Sequence, residues 1–279
     1  MTSDSEIMKP VGIFDSGVGG LTVLKALRER LPNEDFVYLG DTARLPYGTK
    51  SATSILRYAR QAARHLKLRD IKLLVIACNT ASAVALLELQ EELAPLPVIG
   101  VVKPGAFAAV EACPAGRHLV LATEATVNLH AYGDAIRSLD EAADVRELPC
   151  ELLVALAEEG WTKGEIAEGI VREYLHPFFA AEQSRPDSII LGCTHFPILR
   201  PAIRAVAGDG ARIIDSAGTT ATAVEELLRS HGLVREEPGS DGRSGLELLA
   251  TDGARRFARV GGAFLGTALV AADVRIVDL

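Results

Sequence analysis

The sequence comprises 279 residues, of which 48% are hydrophobic and 24% are charged, and this balance excludes a disordered chain. The formal net charge of −8 argues against non-specific binding to nucleic acid, so we expect no nucleic-acid partner. At roughly 150 residues per domain, the length predicts two domains.

Short apolar runs alternate with stretches of helical periodicity along the chain. The runs typical of buried strands lie at 11–15, 35–41, 72–80, 95–102, 118–123, 145–150, 186–195 and 211–216. The clearest helical stretch is 51–68, where Ser51 or Thr53 is expected to cap the N-terminus. Residues 232–245 are predicted to form a loop. This β-α-β-α order predicts a parallel, doubly wound α/β architecture.

The pattern repeats about halfway along the chain. Cys78 and Cys193 each follow a strand-like run, and they lie 115 residues apart. We therefore expect two similar doubly wound domains related by pseudo-symmetry, with an active site in the cleft between them. We place the crossovers near residues 102 and 210. The first domain then comprises 1–102 and 211–279, and the second comprises 103–210.

The sequence also predicts a cytoplasmic protein without a membrane segment. The first ten residues are polar and acidic, and no apolar run approaches the roughly 18 residues that a membrane-spanning helix needs. The four cysteines form no C-x-x-C pair and show no spacing typical of a disulfide framework.

The segment VIACNTAS (75–82) places a cysteine where a strand ends and a helix begins. Ligands of open α/β sheets bind beyond the carboxyl ends of the strands. The helix dipole there favours the thiolate form of Cys78, and Asn79 and Thr80 offer hydrogen bonds to a carboxylate or an ammonium group. The alternative is that Cys78 is a small buried residue at the end of a core strand.

The segment IILGCTHFP (189–197) repeats that arrangement in the second half of the chain. Cys193 follows an apolar run and precedes Thr194 and His195, and histidine is the side chain type that serves most often in proton transfer near neutral pH. Cys193 and His195 could also be metal ligands, but no second Cys/His pair occurs at zinc spacing, and we expect no metal. A structural cysteine is again the alternative.

The pair of cysteines indicates a more specific chemistry than either cysteine alone. Inversion of a stereocentre requires a base on one face and an acid on the opposite face. Two domains that each supply one thiol to a shared cleft meet that requirement. A cysteine hydrolase would need only one cysteine, with a histidine to orient it.

Two further loops follow predicted strands. GIFDSGVGGLT (12–22) fits neither the Walker nor the G-x-G-x-x-G pattern, but its glycines permit close backbone approach to a ligand beside Asp15 and Ser16. In GDTARLPYGTKS (40–51), the Tyr47 hydroxyl could donate a hydrogen bond and the Gly48 amide could bind a carboxylate. A tight strand-to-helix turn and a surface turn are the respective alternatives.

Taken in chain order, six segments resemble the glutamate racemase family: FDSGVGGLTVLKAL, LGDTARLPYGTKS, VIACNTASA, VIGVVKPGA, LGCTHFPIL and IIDSA. The resemblance extends from Val11 to Leu265. It implies an enzyme that interconverts L- and D-glutamate without a cofactor and supplies D-glutamate for peptidoglycan. Glutamate is then the small-molecule partner. We also expect a homodimer.

The resemblance assigns roles to particular residues. Cys78 and Cys193 correspond to the catalytic thiols of the family, and Asp15, His195 and Glu158 correspond to residues that assist them. The substrate-binding residues that the resemblance implies are Asp15, Ser16, Pro46, Tyr47, Gly48, Asn79, Thr80, Thr123, Thr126, Thr194 and His195.

Some positions depart from the family pattern, among them Leu129, which stands where many relatives have serine. Glu151 and Ala155 stand where prolines are common, and the sequence leaves open whether Glu158 or Glu159 assists catalysis. Three other functions also remain open from the sequence. They are a racemase for aspartate or another amino acid, a thiol hydrolase, and a non-catalytic amino-acid-binding protein.

Overall fold

The computed structural model describes residues 4–237 and 245–279, which form two parallel β-sheets covered by helices. The strands are β1 (Val11–Asp15), β2 (Phe36–Gly40), β3 (Leu73–Ile76), β4 (Val98–Gly100), β5 (Arg117–Ala122), β6 (Asp144–Pro149), β7 (Ser188–Gly192), β8 (Arg212–Asp215), β9 (Leu246–Ala250) and β10 (Val274–Ile276). The helices are α1 (Asp4–Ile7), α2 (Leu21–Arg30), α3 (Ala52–Lys67), α4 (Asn79–Leu93), α5 (Val102–Ala112), α6 (Glu124–Asn128), α7 (Ala131–Leu139), α8 (Glu151–Glu158), α9 (Glu165–Phe179), α10 (Arg200–Ala207), α11 (Ser216–Ser230) and α12 (Ala254–Leu265).

The two sheets share one internal order of strands, which confirms the predicted fold class. Across the described ranges, the first sheet has the order β10-β9-β2-β1-β3-β4 and the second has the order β6-β5-β7-β8. All neighbouring strands are parallel. Strands β2-β1-β3-β4 and β6-β5-β7-β8 are each the second, first, third and fourth strand of their half. Cys78 and Cys193 therefore follow equivalent strands, β3 and β7.

Local sequence explains why these elements form. Strands β1, β2, β3 and β7 are buried along their whole length, as expected for parallel strands that helices cover. Helix α3 buries one apolar face, which includes Ile55 and Leu66. The side chain of Ser51, not that of Thr53, caps this helix by accepting a hydrogen bond from the Ser54 amide.

The predicted boundary at residue 211 falls one strand too early. Strand β8 pairs with β7 in the second sheet, with Ser188 opposite Arg212. The chain therefore leaves the second sheet only after Asp215, where α11 begins and packs against α2 of the first half. The apolar run at 211–216 predicted a strand but carried no information about its neighbour in the sheet. We propose Asp215 as the second crossover and keep residue 102 as the first.

The C-terminal part of the chain contains a predicted loop and strands that the sequence did not indicate. Residues 238–244 of the predicted loop at 232–245 lie outside the described residues. Strands β9 and β10 were not predicted. Strand β10 is a short edge strand that pairs only with β9 among the described residues. None of the described helices is long and apolar enough to cross a membrane.

Candidate active site

The loops that follow the strands of both sheets meet around one cavity of about 270 Å³. This position, beyond the carboxyl ends of parallel strands, is where open α/β sheets bind ligands. Most of the site residues expected from the sequence line the cavity: Ser16, Pro46, Tyr47, Gly48, Cys78, Asn79, Thr80, Thr123, Glu158, Cys193, Thr194 and His195. The first sheet contributes one wall of the cavity and the second sheet contributes the other.

Cys78 lies at the first-sheet wall, at the N-terminus of α4. Its sulfur accepts a hydrogen bond from the Ala81 amide at 3.4 Å and donates one to the Ser16 hydroxyl at 3.5 Å. Burial, together with the nearby Asp15 carboxyl, raises the pKa of the Cys78 thiol to about 11. The net shift of the Cys78 pKa is therefore opposite to the expectation that this position would favour the thiolate. Burial and the Asp15 carboxyl outweigh the hydrogen bonds with Ser16 and the Ala81 amide, which lower the pKa.

Cys193 lies at the opposite wall, directly after β7. Its sulfur is 3.8 Å from Nδ1 of His195. Burial raises the pKa of the Cys193 thiol well above its ordinary value. Nε2 of His195 is 3.2 Å from Oε1 of Glu158, and the imidazole ring packs edge-on against Phe264 of α12. The imidazole therefore connects the thiol on one side to a carboxylate on the other.

The structure distinguishes the two glutamates that the sequence left open. The hydrogen bond with His195 lowers the pKa of Glu158, which favours its carboxylate form. Glu159 is the exposed residue that follows the last turn of α8. Glu158 is therefore the member of the pair that reaches the cavity.

Two predicted substrate-binding residues lie behind the wall of the cavity. Asp15 is fully buried, and its Oδ2 accepts the Gly17 amide at 2.9 Å. Burial raises the pKa of this carboxyl. Thr126 is also fully buried, with its hydroxyl 3.3 Å from that of Thr80 and 3.1 Å from that of Thr123. Asp15, the last residue of β1, and Thr126, in α6, therefore support the lining from behind rather than forming it.

The Tyr47 hydroxyl donates its hydrogen bond to a neighbouring carboxylate within the protein. It donates to Oδ2 of Asp41 at 2.5 Å, and burial and this carboxylate raise the pKa of Tyr47. Asp41 also accepts from the Thr251 hydroxyl, so the pair fixes the loop that carries Tyr47. In the structure Asp41 therefore takes the hydrogen bond of the Tyr47 hydroxyl. Tyr47 still lines the cavity, and its contact with a substrate stays a prediction.

Glycines let the two halves of the chain approach closely at the site. A Cβ on Gly19 would lie 2.4 Å from Oγ1 of Thr194 and 2.5 Å from Nδ1 of His195. A Cβ on Gly48 would lie 2.8 Å from Cβ of Thr123. The glycine-rich loop after β1 therefore permits contact with the opposite half of the chain, where we had expected contact with a ligand.

Hydrogen bonds between the halves leave one amide group without a protein partner. Tyr132 donates to Oδ1 of Asn79 at 2.7 Å, and the Thr22 hydroxyl donates to the Thr194 carbonyl at 3.0 Å. Nδ2 of Asn79 has no hydrogen-bond partner among the described residues, although the side chain is buried. A buried amide donor at the cavity wall matches a ligand that carries acceptor oxygens.

Sequence reasoning missed part of the second-sheet wall. Helix α8 contributes Glu151, Val154 and Ala155 to the cavity lining. The helical spacing of these residues, together with Glu158, places them on one side of α8 and could have indicated a shared face. Among the described residues, no group of three or more His, Cys, Asp or Glu side chains could hold a metal ion.

Comparisons with known proteins identify the family. The family model described as Asp/Glu/Hydantoin racemase matches residues 20–224. A glutamate racemase from Geobacter metallireducens is 46% identical over 92% of this chain and 93% of its own. One from Chlorobaculum parvum is 43% identical over 97% of this chain and 96% of its own. The crystal structure of glutamate racemase from Francisella tularensis in complex with D-glutamate gives a TM-score of 0.87 at 36% identity, with 98% of each chain covered. The chain therefore belongs to the Asp/Glu/Hydantoin racemase family and is an amino-acid racemase.

Proposed function

We propose that the chain interconverts L- and D-glutamate by proton transfer between Cα and two thiols, without a cofactor. The observation that carries this proposal is that Cys78 and Cys193 line one cavity from equivalent strands of opposite sheets. A substrate between them presents one face of Cα to each thiol. The relatives named as glutamate racemases, and the one solved with D-glutamate, support the choice of substrate.

In the proposed reaction, one thiol acts as the base and the other as the acid. The thiolate of one cysteine takes the proton from Cα, so that the Cα–H bond breaks and an S–H bond forms. The S–H group of the other cysteine then gives its proton to the opposite face of the carbanion and becomes the thiolate. The roles are exchanged in the reverse direction, so each turnover reverses the protonation states of the two thiols.

The neighbours of each thiol supply the help that the raised pKa values require. For Cys193, Nδ1 of His195 accepts the thiol proton, while Glu158 accepts the Nε2–H and stabilises the imidazolium that forms. For Cys78, the Ser16 hydroxyl and the Ala81 amide stabilise the thiolate. The Asp15 carboxylate raises the pKa of Cys78, and we propose that it assists instead by accepting the thiol proton, as the resemblance to the family implies. We propose these residues as the catalytic set.

Neutral donors are proposed to hold the substrate carboxylates. In the described part of the chain, no Lys or Arg lines the cavity. The Asn79 amide, the hydroxyls of Ser16, Thr80 and Thr194, and the backbone amides at the start of α4 are the available donors. Such donors stabilise the negative charge that spreads onto the α-carboxylate when Cα loses its proton.

The wider biological role follows from the resemblance to glutamate racemases. We propose that the product D-glutamate is used for peptidoglycan, that the protein acts in the cytoplasm, and that it forms a homodimer. Sedimentation of the purified chain would test the last of these points.

A panel of substrates would test the proposed reaction against its alternatives. We expect loss of circular dichroism from either enantiomer of glutamate, with no pyridoxal phosphate or metal added. Faster loss with aspartate would favour the other racemase assignment, and turnover of activated esters without racemisation would favour a thiol hydrolase. Tight binding of glutamate without any change in optical activity would indicate a binding protein.

The pH dependence of the reaction follows from the state of the thiols. Because burial raises the pKa of Cys78 to about 11, the thiolate fraction in the free enzyme rises with pH throughout the neutral range. We expect kcat/KM for glutamate to increase from pH 7 to pH 9, by up to about tenfold for each pH unit. A rate that stays flat from pH 5 to pH 9 would contradict a mechanism that depends on a thiolate.

A further inference from the structure

The carboxylate that holds His195 is itself held by an arginine that lies outside the set of residues described above. Oε2 of Glu158 accepts a hydrogen bond from Nη2 of Arg256 at 2.5 Å, while Oε1 faces Nε2 of His195. The two oxygens of Glu158 thus have different partners. Arg256, Glu158, His195 and Cys193 form one continuous series of contacts.

This series crosses from one half of the chain to the other. Arg256 lies on α12, which packs against α2 and β10 of the first half, whereas Glu158 lies at the end of α8 in the second half. Arg256 and Glu158 also line a second cavity of about 290 Å³ beside the first. The Arg256 side chain is 54% exposed, so its loss would not leave a hole in the core.

We propose that Arg256 is a positioning residue for the Cys193 half of the reaction, acting through Glu158 and His195. This inference rests on the two-thiol mechanism proposed above. A carboxylate with one oxygen fixed by an arginine has less freedom to rotate away from its second partner. A fixed Glu158 accepts the Nε2–H of His195, which leaves Nδ1 without a proton and turned towards the Cys193 sulfur. Without Arg256, Glu158 would hold neither the tautomer nor the ring orientation of His195 as firmly.

Substitution of Arg256 should affect the rate of turnover more than the binding of substrate. We expect Arg256→Met to lower kcat for glutamate racemisation by about tenfold, with a smaller change in KM, because the arginine does not contact the substrate cavity. Arg256→Lys should recover most of that loss, since a single N–H donor makes the contact. Arg255→Met is the matched control, because Arg255 is an exposed neighbour on the same helix.

Exchange of the Cα proton in single-thiol variants separates positioning from general damage to the fold. With Cys78→Ser, Cys193 is the remaining thiol, and adding Arg256→Met should reduce the residual exchange about tenfold. With Cys193→Ser, the same addition should change exchange less than about twofold, because the hydrogen bonds described for Cys78 go to Ser16 and Ala81 and not to a member of the series. Equal losses in both backgrounds would contradict the proposal and indicate a structural role.

A spectroscopic signature gives a readout that does not depend on turnover. Nitrogen-15 NMR of His195 in the intact protein should show the Nε2–H tautomer, and Arg256→Met should shift the ring towards a mixture of tautomers. An unchanged His195 tautomer, together with an unchanged kcat in Arg256→Met, would overturn the proposal. If the unaltered protein does not racemise glutamate at all, the proposed function is wrong. This outcome is distinguished from a failure of the Arg256 proposal because it is seen without any variant.

Discussion

Cys78→Ser and Cys193→Ser are each expected to lose racemisation of glutamate by about a thousandfold or more. A serine hydroxyl is a far weaker acid than a thiol, so the variant lacks an effective base on one face of Cα. It still places a hydroxyl where a weak proton donor is needed. Each variant should therefore exchange the Cα proton with one enantiomer in preference to the other. The preferred enantiomer should differ between the two variants.

The other cysteines provide controls for this experiment. Cys113 is half-buried, with its sulfur 3.6 Å from the Asp187 carbonyl, and it lies away from the cavity. Cys113→Ser should retain racemisation close to that of the unaltered protein. We expect Cys150→Ser to be active as well, although Cys150 is fully buried and the substitution is the more disturbing of the two. Racemisation near the original rate in either Cys78→Ser or Cys193→Ser would rule out the two-thiol mechanism and favour a single-thiol enzyme.

Lys72→Met is expected to produce a large loss of stability although it lies outside the site. The Lys72 ammonium is almost fully buried, forms an ion pair with Glu34 at 2.5 Å, and donates to the carbonyls of Ile7 and Leu233. Its removal leaves the buried Glu34 carboxylate without its ion-pair partner and with only the Arg235 amide as a donor, which costs roughly 3–5 kcal/mol. For a chain of this size, Tm should fall by about 10 °C in a thermal denaturation experiment.

Two comparisons test the cause of that loss. Lys9→Met removes a more exposed cation that pairs with Glu6 and Asp70, and it should lower Tm far less, because solvent screens exposed ion pairs. Lys72→Met combined with Glu34→Gln should recover part of the lost Tm, because the Glu34 carboxylate that lost its ion-pair partner is replaced by a neutral amide. Racemisation at low temperature should be unaffected, since Lys72 precedes β3 and Cys78 follows it. Equal Tm losses for Lys9→Met and Lys72→Met would contradict the account.

The sequence predicted the fold class because its signals are local. A buried parallel strand is a continuous apolar run, and a cysteine at the end of such a run marks the edge of the sheet where ligands bind. The repeat of that pattern at Cys78 and Cys193 predicted two similar halves, and the strand order of the sheets confirms it.

Features that depend on contacts between distant segments were not predictable in the same way. The neighbour of β8 is a matter of tertiary pairing, so the boundary at 211 was placed too early. The Tyr47 hydroxyl was expected to face a ligand, but Asp41 of the same loop accepts its hydrogen bond. The pKa of the Cys78 thiol likewise depends on how deeply the finished fold encloses it, because burial outweighs the hydrogen bonds that lower the pKa.

The choice between Glu158 and Glu159 also depends on tertiary packing. Two adjacent residues on a helix point in directions about 100° apart, so only one of them can reach His195. The packing of α8 against the segment after β7 decides which one does. The contact with Arg256 of α12 could not be inferred from local sequence, because it joins residues almost a hundred positions apart.

Proton NMR of L-glutamate and D-glutamate with the pure protein in D₂O tests the central claim most directly. The account predicts that the Cα proton signal disappears for either enantiomer as deuterium is incorporated, that optical rotation is lost in parallel, and that neither change needs an added cofactor or metal. Retention of the Cα proton by both enantiomers, or exchange that depends on added pyridoxal phosphate or metal, would contradict it.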